Sequence, residues 1–207
     1  AGLAEGRKGV RNVLARLQRA GARVLARDGE AIRLADGVSV DAIAFKNTAD
    51  RVLTDGGRDG AAQGARFALA RYRGEFLPDD RYCDWADGMR QRLRRRYVAL
   101  LDLLATDALR RGEPLEAVTL LEMAIETDPD DDARYVQAAD LLVDLGRRGR
   151  AAAMLERARA TLREFGLEPG RTWSQVQGRL AQPDATSARP AEAPSVPRRR
   201  GPVPSRR

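Results

Sequence analysis

The chain has 207 residues, 43% hydrophobic and 32% charged, enough apolar material for a sizeable core and too much for a wholly disordered chain. It contains no histidine and a single cysteine, Cys83, which closes off His-dependent triads, His-ligated metals, imidazole bases, internal disulfides and CxxC sites. The formal charge of +7 sits at the ends, with +5 over residues 1–35, −2 over 36–180 and +4 over 181–207, so the ends are candidates for polyanion contact and the middle reads as a solvated surface around a core.

No stretch approaches ~18 uninterrupted apolar residues, and Arg7, Lys8, Arg11, Arg16, Arg19 and Arg23 stand where a signal peptide would need its apolar centre. A soluble, cytoplasmic protein with no membrane partner is expected. Val10, Val13, Leu14 and Leu17 fall at i, i+3, i+4 and i+7, which predicts a helix with one apolar stripe. Lys8, Arg11, Asn12, Ala15 and Arg19 lie opposite, with Arg7 and Arg16 beside them. Cations for phosphate or guanine, an amide for adenine and a small residue between suit a helix in the major groove. The plainer reading is a surface helix with a charged outer face. Gly21 ends the helix, and Arg23–Arg27 and Glu30–Leu34 flank Asp28-Gly29, a hairpin signal that puts Arg27 near the tip, where it could touch a minor-groove phosphate.

A repeat occupies the middle of the chain. Ala105, Gly112, Ala117, Leu121 and Ala124 return as Ala139, Gly146, Ala151, Leu155 and Ala158, each 34 residues on. Upstream, Ala49, Gly56, Ala61, Ala65 and Ala68 follow the same spacing, with an insertion of about 22 residues before the next unit. A period of this length means a helix, a turn and a returning helix, with small residues where the pair crosses closely. The offsets resemble the tetratricopeptide repeat, and three helix pairs are expected, stacked to bury the Leu100–Leu104, Val118–Ile125 and Leu141–Leu145 stripes.

Within the insertion, Tyr72-Arg73-Gly74-Glu75-Phe76-Leu77-Pro78 reads as an aromatic turn, and Asp84 opens a long helix. Trp85, Met89, Leu93, Tyr97 and Leu100 share one face of it, a spacing that fits core packing. Arg90, Arg92, Arg94, Arg95 and Arg96 read as either a phosphate-binding patch or, more simply, a solvated face. The acidic run Asp128, Asp130, Asp131 and Asp132 lacks the glycine and distal Glu of a calcium loop and lies where a helix N-terminus attracts negative charge, so no metal is expected. Residues 181–207, rich in Pro, Ala, Ser and Arg, are expected to be a disordered tail.

Val40-Asp41 with Phe45, Tyr72-Arg73-Gly74-Glu75-Phe76-Leu77, Trp85 with Arg90 and Leu93, Gly112, Asp128-Pro129, Gly146-Arg147 and Leu162-Arg163-Glu164-Phe165-Gly166-Leu167-Glu168-Pro169 resemble the bacterial transcriptional activator domain. This is the helical module of AfsR-like streptomycete antibiotic regulatory proteins. The chain departs from the family at Arg71, where an apolar residue is usual, and at Asp130-Asp131-Asp132. The resemblance implies an OmpR-like winged helix ahead of the module. Residues 1–37 would then be its recognition helix and wing, residues 38–180 the tetratricopeptide-like activator domain, and the chain the C-terminal part of a longer regulator. It further implies a mainly α fold, DNA as a partner of the completed winged helix, self-association and contact with RNA polymerase. The alternative is a tetratricopeptide-like protein-interaction scaffold with no specific DNA binding. No nucleophile-base pair stands out, so neither an enzyme nor a cofactor is expected.

Overall fold

In the computed structural model, the elements bounded by described residues are two short strands, β1 (Leu25–Asp28) and β2 (Ala31–Leu34), and seven helices after them, with helical residues Ala15, Arg16 and Arg19 ahead of β1. They are α1 (Asp41–Thr54), α2 (Ala61–Leu69), α3 (Asp84–Arg110), α4 (Pro114–Thr127), α5 (Asp132–Asp144), α6 (Arg148–Glu164) and α7 (Arg171–Ala181), with a 3-10 turn at Pro78–Asp80 between α2 and α3. The structure describes residues 15, 16, 19, 24–29, 31–56, 60–80, 84–164, 166 and 170–182.

The repeat glycines sit at the bends. Gly56, Gly112 and Gly146 all take positive φ, at 51°, 75° and 69°, which glycine adopts without the cost a Cβ would bring. After α3, Glu113 N–H donates to the Ala108 carbonyl at 2.9 Å; after α5, Arg147 N–H donates to the Leu142 carbonyl at 2.7 Å. These are the same closure one repeat apart, and each satisfies a carbonyl the helix end leaves open. Pro114 starts α4, where its missing N–H costs nothing. The Asp131 carboxylate accepts from Ala133 N–H at 3.1 Å and caps α5.

Each helix packs on the next, and α1 also reaches α3 as α5 reaches α7. The repeat alanines lie at the crossings: Ala49, Ala65, Ala68, Ala105, Ala117, Ala124, Ala139, Ala151 and Ala158 are all buried. Leu100, Leu101, Leu121, Ile125 and Leu142 are almost wholly enclosed, each contributing ~1.5–3 kcal/mol by leaving water. Leu120 packs against all three clusters of buried side chains, joining the first helix pair's core to the rest. The expected three pairs are present, with α7 added: Trp173, Val176 and Leu180 close the open side of the last pair.

Two sequence expectations are corrected. In the hairpin, Asp28 pairs with Ala31, so the two-residue connection begins at Gly29 (φ 60°), one position later than the Asp28-Gly29 turn expected. Glycine takes a left-handed first position without the cost a Cβ would bring, and this register puts Gly29 there. Trp85 does not enter the core and is 73% exposed. The helix turns its face about Ala86, Arg90, Leu93 and Leu100 inward, and Trp85 lies at that face's edge, where the spacing rule alone does not separate it from core positions.

Candidate functional site

Of the residues expected to contact DNA, Arg7, Lys8, Arg11 and Asn12 lie outside the described residues. Ala15, Arg16 and Arg19 are helical and exposed, and Arg19 Nε donates to the Ala15 carbonyl at 3.1 Å, which folds that guanidinium onto its own helix. Arg27 occupies β1 opposite Ile32. Arg33 on β2 pairs with Asp36 at 2.8 Å, and Ala35 N–H extends the ladder to the Val24 carbonyl at 3.0 Å.

The arginine run of α3 divides by role. Arg90, 9% exposed, donates through Nε to the Phe76 carbonyl at 2.9 Å, through Nη2 to the Leu77 carbonyl at 3.2 Å and through Nη1 to Asp87 at 2.6 Å. It thereby holds the aromatic turn, in which Leu77 sits at φ 51°, a conformation that costs a side-chain-bearing residue ~1–2 kcal/mol. The turn is also wedged by its rings. Tyr72 stacks on Tyr97 at 4.2 Å between centroids and leans on Phe45 at 5.1 Å, tying the insertion to α1 and α3. Burial pushes both phenols above their ordinary range, helped at Tyr97 by Glu126. Arg96 bonds Asp50, and Arg94 faces Glu75 at 3.7 Å. Arg92 and Arg95 are exposed.

Pairs of this kind recur along the body. Arg96 Nε donates to Asp50 at 2.5 Å between α3 and α1; Arg134 holds Asp102 at 3.0 Å between α5 and α3; Arg179 holds Asp140 and Asp144 between α7 and α5. Each pair links the first helix of one unit to the first helix of the next. The hydrogen bond from Arg96 lowers the Asp50 pKa, with Lys46 adding to the effect against the opposing cost of burial. Sequence reasoning missed these clips, although Asp50 and Asp140 stand at one repeat position, six residues before Gly56 and Gly146. Arg134 also draws in Asp128 and Asp131 at 3.4 and 3.3 Å, so the acidic run serves as a helix cap and an arginine seat. Among the described residues no group of three His, Cys, Asp or Glu could hold a metal ion.

Clefts open on the body, two of which bear on the first helix pair and the aromatic turn. One of about 430 Å³ lies between α1 and α2, lined by Thr48, Arg51, Val52, Asp55 and Phe67; the other, about 370 Å³, is lined by Tyr72, Glu75, Arg94, Tyr97 and Glu126. Beside the first, Arg71 lies over the exposed ring of Phe67 at 3.8 Å, a surface cation–π contact. No helix among the described residues is long and apolar enough to cross a membrane.

A family model described as the bacterial transcriptional activator domain matches residues 40–180, which takes in all seven helices but the last residue of α7. A comparison with curated proteins found no match.

Proposed function

The chain belongs to the bacterial transcriptional activator domain family, and from that membership we propose that it is a DNA-binding transcriptional regulator of the activator type whose helical body makes the protein contacts. The observation that carries this reading is the family match itself, which spans the whole stack of helix pairs. In this reading residues 38–180 form a tetratricopeptide-like superhelix, supported by left-handed glycines one repeat apart and alanines at every crossing. Residues 1–37 form the recognition helix and wing of an OmpR-like winged helix, as in AfsR-like regulators. The hairpin with its tip at Gly29 and the exposed helical Arg16 support that assignment. Arg7, Lys8, Arg11, Asn12, Ala15, Arg16, Arg19 and Arg27 then meet DNA. Of the tail expected over residues 181–207, Ala181 belongs to α7 and everything beyond Gln182 lies outside the described residues. The protein works in the cytoplasm, and the body serves self-association on tandem sites and contact with RNA polymerase.

A gel shift tests the proposal, using DNA from upstream of the regulated genes with this chain alone and with the chain preceded by whatever residues its reading frame encodes ahead of Ala1. A specific band that is lost in Asn12→Ala supports a base-reading helix. No specific band in either form supports the second reading, a protein-interaction scaffold that never touches DNA. The second reading draws on the same body, whose Arg96, Arg134 and Arg179 are spent on internal carboxylates.

A further inference from the structure

The first half of α3 is rich in arginine, but Arg90, Arg94 and Arg96 are engaged with Asp87, Glu75 and Asp50. Arg92 and Arg95 are exposed, and neither pairs with a carboxylate among the described residues. Helical spacing places Trp85, Gly88, Arg92 and Arg95 on one stripe, at i, i+3, i+7 and i+10, turned away from buried Ala86, Leu93 and Leu100. A Cβ on Gly88 would lie 3.3 Å from Arg92 Nη1, so that guanidinium rests back over Gly88, one turn from the indole. The surface therefore presents a tryptophan that is 73% exposed beside two cations that the fold leaves uncompensated.

We propose that this stripe docks an acidic segment of a partner protein, with Trp85 covering an apolar residue of that segment and Arg92 and Arg95 pairing with its carboxylates. The proposal rests on the reading of the helical body as a protein-contact module. Charge decides the sign of the partner, and the small number of free cations decides its class. Two phosphate contacts would lose only about tenfold in affinity between 50 and 200 mM salt, the mark of a weak electrostatic grip, and a duplex keeps its base faces stacked away from an indole. Tryptophan and arginine together are the side chains that most often anchor protein interfaces.

The test uses the full chain labelled with 5-fluorotryptophan, which gives two fluorine resonances, one from Trp85 and one from Trp173, assigned by loss of the first in Trp85→Phe. The probe is a synthetic acidic amphipathic peptide with glutamate on one face and leucine on the other, set against its lysine counterpart, a single-stranded oligothymidylate and duplex DNA. The expected result is a saturable shift of the Trp85 resonance with the acidic peptide while buried Trp173 stays still. Affinity should fall at least tenfold in Arg92→Glu/Arg95→Glu, whose circular dichroism should match the parent because both side chains are exposed. A silent Trp85 resonance overturns the proposal, as does unchanged affinity in the double variant or tighter binding of either nucleic acid. If the acidic peptide binds while Trp85 stays silent, this surface fails and the protein-contact reading of the body survives.

Discussion

Glycine-to-alanine substitution should have opposite signs at two helical positions. In α2, an ideal Cβ on Gly64 would meet Val52 Cγ2 at 2.8 Å and Val52 Cβ at 4.0 Å. Carbon atoms rest about 3.5–4.0 Å apart, so α1 and α2 must separate by roughly 0.7 Å or Val52 must leave its rotamer. Val52 is 8% exposed and β-branched, which leaves it little freedom. Alanine should return ~1 kcal/mol of helix propensity, against ~1–3 kcal/mol for overpacking, for a net loss of about 1 kcal/mol. At Gly178, in α7, a Cβ meets nothing within 4 Å, so alanine keeps the propensity gain, ~0.5–1 kcal/mol near a helix end. Urea unfolding of the two variants should thus differ by about 1.5–2 kcal/mol at unchanged m-value. In a Val52→Ala background, Gly64→Ala should become neutral or stabilising, because its obstacle is gone. If Gly64→Ala stabilises the parent as much as Gly178→Ala does, the close approach of α1 and α2 is refuted.

Three further outcomes follow from buried or paired groups. Tyr135 is 1% exposed and its hydroxyl has no hydrogen-bond partner among the described residues, so Tyr135→Phe should raise unfolding free energy by about 1 kcal/mol, the desolvation cost it removes; a loss of that size would mean that the hydroxyl is bonded in solution. Arg90→Met should cost ~2–3 kcal/mol and weaken the near-ultraviolet circular dichroism of the Tyr72–Tyr97 stack, and Arg90→Lys should rescue little because an ammonium lacks the planar fork that spans two carbonyls and a carboxylate. Asp50 has a lowered pKa in the folded chain, so its stabilisation is present above about pH 4 and is lost as pH falls through the folded value. Asp50→Asn should therefore cost ~0.5–1 kcal/mol at pH 7, a surface-pair magnitude suited to a carboxylate that is 39% exposed, and the two chains should converge only once the pH is below the lowered folded value.

The repeat was legible because its signals are local and obligatory. A bend of this type favours glycine, and a close crossing needs a small side chain, so Gly112 and Gly146 mark the turns and Ala117 and Ala151 the crossings. What escaped sequence reasoning depends on partners distant in the chain. Trp85 satisfies the helical period of a core residue, and only the direction in which α2 and α4 approach α3 decides that it faces outward. The Asp102–Arg134 and Asp140–Arg179 clips join residues 32 and 39 apart, and no window along one helix contains both members. Of the residues expected to contact DNA, the structure describes Ala15, Arg16, Arg19 and the backbone of Arg27, which leaves the assignment with the gel shift.

The residues that carry the family resemblance mostly have structural work. Tyr72 and Phe76 pack the turn against the first core, Arg90 bonds the turn's carbonyls, Leu93 is buried, and Gly112 and Gly146 make the bends. Their presence therefore speaks first to shape, and shape alone names no partner. Trp85 stands apart from them, because the core closes without it and water covers most of its ring. Exposed indole beside unpaired guanidinium gains little for folding, since burial is what makes a tryptophan stabilising and pairing is what makes a buried arginine tolerable. Both gains become available when another chain covers the stripe, which lies on the outer face of α3, away from the glycine bends and alanine crossings that set the fold.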